Sequence, residues 1–100
     1  MNIEARIAEL GLELPEAPAP GGNYTPVVRV HDMCYVSGHG PLKPDGEMLR
    51  GRVGSDVSEE EGYAAARQVG LAMIATLKAN LGDLDRVVQI VKVLGMVNAA

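Results

Sequence analysis

Residues 34–41 read CYVSGHGP, an apolar run that stops at a hydroxyl, an imidazole and two glycines. Three kinds of chemistry use such residues. A serine nucleophile needs the Gly-x-Ser-x-Gly turn between strand and helix, but Val36 precedes Ser37, position 35 is Tyr and no helix follows. His39 stands two residues away with no third group to orient it as a base. A metal set of His31, Cys34 and His39 lacks zinc-finger spacing, and the two histidines fall at opposite ends of one short strand. A phosphate loop needs its glycines to open a helix; here Gly38-His39-Gly40 runs into Pro41. What remains is a cradle. Backbone N–H groups exposed at Gly38 and Gly40, with Ser37 and His39 as adjustable polar contacts, suit a small carboxylate or carbonyl. The alternative is a plain turn with a solvent-exposed histidine, and these residues alone do not separate the two.

The elements that would position this loop are legible around it. Asn2 can cap a short helix carrying Ile3, Ile7 and Leu10 on one side and ended by Gly11. A lead-in with Pro15, Pro18 and Pro20 follows, favouring an extended path. Residues 24–30 read as a strand, with Pro26 at its start. His31-Asp32 turns the chain into a second strand over residues 33–37, where Met33, Tyr35 and Ser37 share one face and Cys34 and Val36 the other. Cys34 reads as a small core residue. Pro44-Asp45-Gly46 signals another turn, flanked by Lys43 in solvated surface, and a third strand is expected over residues 48–53.

Ser58-Glu59-Glu60-Glu61 is a capping box, with Ser58 as cap and Glu61 three residues on. The three glutamates serve the helix start and its dipole rather than catalysis. The helix should run to Leu81 and stop at Gly82, burying Ala66, Val69, Gly70, Met73, Leu77 and Leu81. Residues 86–97, RVVQIVKVLGMV, are apolar on both alternating faces apart from Gln89 and Lys92, the pattern of a central strand or a subunit contact.

The totals narrow the function. One hundred residues make one domain, 1–100, with residues 1–22 a helix and lead-in and 23–100 the core. The chain is 47% apolar with no Phe or Trp and three Tyr, so its core is aliphatic. A net charge of −4 disfavours a nucleic-acid partner, which calls for clustered Lys and Arg. One cysteine fits a reducing compartment, no membrane span is present, and the amphipathic N-terminus lacks a secretion signal, so a cytoplasmic protein is expected.

The order of these features resembles the RidA/YjgF family. The likeness is carried by YVSGHGPLKPDG and KANLGDLDRVVQIVKVLG and covers residue 23 to about 97; the N-terminal helix is similar to an extension in one branch. The resemblance implies an α+β, chorismate-mutase-like protomer, with a mixed sheet, helices on one face, and a trimer holding ligand sites in inter-subunit clefts. It implies hydrolysis of reactive enamines and imines, such as 2-aminoacrylate, to the 2-keto acid and ammonia, with no cofactor or metal. By position, Tyr24 resembles a cleft-lining tyrosine, Ser37 and Gly38 the strand-end pair that holds substrate, and His39 a loop contact where many relatives carry glutamine. The family's carboxylate-clamping arginine and water-orienting acid lie in its last third, past Ala100, and neither Arg86 nor Glu61 matches them. The chain is thus expected to be C-terminally shortened and to lack the full catalytic set. A non-catalytic keto-acid-binding or regulatory module is the first alternative, an endoribonuclease or translation inhibitor the second.

Overall fold

A computed structural model describes residues 2–100. Helix α1 spans Ile3–Glu9, strand β1 Val27–Val30, strand β2 Met33–Val36 and helix α2 Glu59–Leu81, followed by a 3-10 turn at Leu84–Arg86. The class is α+β, as the resemblance implies, and its hydrogen-bonded sheet is the antiparallel hairpin β1–β2.

Local chemistry accounts for each boundary. The Asn2 side chain accepts from the Ala5 amide at 3.0 Å, capping α1. Two turns of helix are marginal alone, and α1 is held from outside: Asp85 Oδ1 accepts from the Ile3 amide at 2.7 Å, and Glu4 pairs with Lys78 of α2. The lead-in then lies along α2, where Leu14, Pro15 and Ala17 face Ala75, Lys78 and Ala79 across an open groove. In the hairpin Val27 pairs with Val36 and Val30 with Met33, with His31 in the turn at a positive φ of 53°.

The capping box of α2 forms in full. Ser58 Oγ accepts from the Glu61 amide at 3.1 Å, and Glu61 Oε1 accepts from the Ser58 amide at 3.0 Å. Gly82 closes the helix with a φ of 83°, open to glycine at no steric cost. The buried face differs from the expected one. Leu71, Ala72, Ala75, Thr76 and Leu81 are buried, whereas Ala66 and Gly70 are exposed and Val69, Met73 and Leu77 half-buried. The middle of α2 is apolar nearly all round, so periodicity does not select a face. The partner does, and it meets the side carrying small Ala72 and Ala75.

Two expected strands and one core residue are corrected. Residues 48–53 form no ladder: Met48 bridges Leu42 around the Pro44–Gly46 turn, and Val53 bridges both Val57 and Ala99. Residues 86–97 are likewise unpaired, with Val88 96% and Met96 88% exposed. A strand needs a neighbour along its length to satisfy its backbone groups. Here only the tail past this segment finds one, the Val53 amide donating to Asn98 O and Ala100 N to Val53 O. Cys34 is exposed. It shares a face with Val27 and Val36, but the cover from α2 reaches only that open end of the hairpin and not Cys34 beside the turn.

Close packing around Val53 rests on two glycines. A Cβ on Gly51, whose φ is 141°, would stand 2.3 Å from Val57 Cγ2, and one on Gly62 of α2 would stand 2.9 Å from Val53 Cγ2. The loop therefore seats against the first turn of α2 only where side chains are missing.

Ser58→Ala should lower unfolding stability by about 1 kcal/mol. Hydrogen bonds from the Ser58 backbone and side chain hold the Glu61 carboxyl below its ordinary value. Its contribution is therefore present above the ordinary carboxylate range and lost as pH falls through the depressed folded value. Thermal melts of wild type and Glu61→Gln across pH should converge in acid; a constant gap would contradict this assignment.

Candidate functional site

The loop after β2 is tied at three points. The Ser37 amide donates to Pro26 O at 2.9 Å, and the Ser37 hydroxyl donates to Thr25 O at 2.6 Å. Those two bonds extend the hairpin past its last paired residues and clamp the loop's first residue onto the approach to β1. The third tie is His39. Its Nδ1 lies 2.8 Å from Ser37 O and its Nε2 2.8 Å from Thr76 Oγ1 on α2.

The partners decide the proton positions. A carbonyl oxygen only accepts, so Nδ1 carries hydrogen and donates to Ser37 O. In the neutral ring Nε2 is then the acceptor, and the Thr76 hydroxyl donates to it. Thr76 is 2% exposed, the one buried polar side chain among the described residues. Its carbonyl accepts from Asn80 Nδ2 at 2.8 Å.

Ser37, Gly38 and His39 thus come together in one loop, and their roles divide. The Ser37 hydroxyl has committed its proton and keeps only accepting capacity toward anything else. Both His39 ring nitrogens are engaged, so the imidazole holds the loop's shape. The amides of Gly38, His39 and Gly40 have no acceptor among the described residues. Gly38 is exposed and Gly40 half-buried, the latter covered by the Met48 thioether, which a Cβ on Gly40 would meet at 2.9 Å. Tyr24 adjoins the loop through the backbone of Thr25. Its ring lies over Gly22 and its hydroxyl accepts from the Gly21 amide at 3.1 Å, leaving it 46% exposed.

Sequence reasoning missed Thr76. The one signal was a threonine among Met73, Ile74, Ala75 and Leu77 in mid-helix, where a hydroxyl needs a partner once buried. Elsewhere, no group of three His, Cys, Asp or Glu gathers among the described residues, and none of their helices is long and apolar enough to cross a membrane. Lys43 and Asp45 form an exposed pair at 3.9 Å beside the turn.

Replacing Ser37 by Ala removes one hydrogen bond and leaves the Thr25 carbonyl unpaired. The change should cost about 1 kcal/mol in chemical denaturation and speed exchange of the residue 37 amide; wild-type protection there would contradict the tie.

Comparison with known proteins matches this framework. The family model described as "YjgF/chorismate_mutase-like, putative endoribonuclease" matches residues 4–100, all of α1 but its first residue. Protein TCP17 of Trypanosoma cruzi is 38% identical over 99 residues, covering 99% of this chain and 62% of its own length. A Shewanella oneidensis MR-1 structure described as a "putative endoribonuclease" superposes with a TM-score of 0.78 at 41% identity, over 86% of this chain and 57% of that one. Atu1372 from Agrobacterium tumefaciens, a protein of unknown function, gives 0.66 at 36%, over 83% and 49%. The chain thus spans about half to three fifths of the length of these relatives. A family-model match over residues 4–100, with a relative 38% identical over 99 residues, shows the family: the chain belongs to the YjgF/chorismate-mutase-like family.

Proposed function

We propose that the full-length protein hydrolyses reactive enamines and imines of the 2-aminoacrylate type to the 2-keto acid and ammonia, and that this chain alone, without the matching arginine and acid, is impaired or inactive. The observation that carries this reading is the strand-end loop, which presents the amides of Gly38, His39 and Gly40 without an acceptor while committing Ser37 Oγ and both His39 nitrogens to the fold. Such a loop binds a carboxylate or carbonyl oxygen and supplies no nucleophile. An imine asks for little more. Water adds to its carbon, the nitrogen takes a proton, and the resulting carbinolamine expels ammonia to leave the keto acid. Positioning the imine and stabilising the charge that develops can carry such a step.

Tyr24 would line the cleft, Gly38 and His39 would hold substrate through their amides, and Ser37 would accept a hydrogen bond from it. The resemblance assigns a carboxylate-clamping arginine to a part of the family's length that this chain does not span, so the loop would supply only part of the substrate's contacts. An assembly of three with clefts between subunits fits the hairpin face formed by Val28, Val30, Met33 and Tyr35, all exposed, with Tyr35 58% so. A reducing, cytoplasmic setting fits the exposed thiol of Cys34.

A second reading, ribonuclease action, is favoured by the family description and the Shewanella protein's name. The net charge of −4 offers little to a phosphate backbone.

The test is to release 2-aminoacrylate in situ and follow keto acid and ammonia. For the full-length protein the expected result is formation well above the uncatalysed rate, with no cleavage of single-stranded RNA at low salt. Binding of a 2-keto acid without acceleration would establish a binding module instead, and RNA cleavage without imine hydrolysis the second reading.

A further inference from the structure

We propose that Thr76 is a positioning residue for the strand-end loop. From inside α2 its hydroxyl donates to Nε2 of His39, whose Nδ1–H is set by the Ser37 carbonyl, and the ring so anchored fixes that carbonyl and the orientation of the amides that follow.

Geometry and burial carry the argument independently of any substrate. Ser37 O and Thr76 Oγ1 lie 2.8 Å from opposite nitrogens of one ring, so the imidazole is a strut of fixed length between strand end and helix. Thr76, at its far end, is 2% exposed, so its hydroxyl is shielded from solvent. Within a helix, a threonine hydroxyl otherwise donates to the carbonyl four residues back, here that of Ala72. Donating to His39 in place of Ala72 ties the loop to the helix rather than the helix to itself. Asn80 closes on the Thr76 carbonyl one turn later, at 2.8 Å, so the residue is gripped by backbone and side chain alike.

The ring cannot tilt without breaking a bond at one end. If Nε2 took up a proton, it would become a donor, and the Thr76 hydroxyl would have to turn its own hydrogen away. If the ring left altogether, Ser37 O would lose its partner and the peptide between Ser37 and Gly38 would be free to rotate. That rotation would re-aim the Gly38 amide. Thr76 thus acts on the loop only through His39. Its importance toward a ligand rests on the function proposed above, whereas its grip on the ring does not.

The experiment is nitrogen NMR of the His39 ring at neutral pH in wild type, Thr76→Val and Thr76→Ser, with binding of a 2-keto acid measured in the same samples. In wild type one ring nitrogen should be protonated, Nδ1, and the other bare and hydrogen-bonded. Thr76→Val, close in volume, should remove the hydrogen bond to Nε2, so that the Nε2 shift moves to that of a bare nitrogen without a donor and keto-acid binding weakens roughly three- to tenfold. Thr76→Ser should restore both. A wild-type ring protonated at Nε2 would overturn the proposal whether or not any variant folds. So would a Thr76→Val ring indistinguishable from wild type, or a Thr76→Ser ring whose Nε2 shift stays at the Thr76→Val value. Loss of imine turnover with the ring unchanged would count against this proposal, and a fixed ring without turnover only against the proposed reaction.

Discussion

A single file of hydrogen bonds joins the two halves of this molecule: Thr25 and Pro26 to Ser37, Ser37 to His39, and His39 to Thr76. On one side lies a hairpin with four residues per strand, too small to be stable by itself. On the other lies the 23-residue α2, whose middle is apolar nearly all round. Apolar contact holds the two together but orients them weakly, because hydrophobic attraction has no direction. The polar file supplies direction. Both of its ends are fixed, by the backbone ahead of β1 and by a hydroxyl sealed in the core, so the loop between them has little freedom left.

The same file separates holding from binding. Ser37 and His39 look like the reactive residues of this stretch, yet their side chains are spent on architecture. The groups left without partners are backbone amides, which carry no chemistry beyond donating hydrogen bonds. For a substrate that is already electrophilic, as in the reaction proposed above, such a loop is enough, since orienting the substrate and countering its charge leave little for a nucleophile to add. The glycine before His39 leaves open space over its own amide.

Features decided within a few residues were legible in the sequence. Ser58 and Glu61 cap α2 because each needs only the other, and Gly82 ends it because one backbone angle requires glycine. The His31-Asp32 turn and the α1 cap at Asn2 are of the same kind. Features that depend on a distant neighbour were not. Cys34 looked like core and is exposed because α2 covers only the open end of the hairpin. The apolar run over residues 86–97 is real, but such a run states what a strand would bury and not whether a partner is at hand. Thr76 was hidden in an apolar run for a similar reason. Its role exists only because His39, 37 positions away, arrives at its hydroxyl, and no periodicity records that meeting.

The most direct measurement is an amide NMR titration of the protein with a small 2-keto acid. If the loop is the ligand cradle, the amides of Gly38, His39 and Gly40 should shift together and saturably, and the Ser37 amide, already bonded to Pro26, should move less. Saturable shifts confined to other segments, or no shifts at a concentration that supports turnover, would contradict the cradle and with it the account of why this loop is held so firmly.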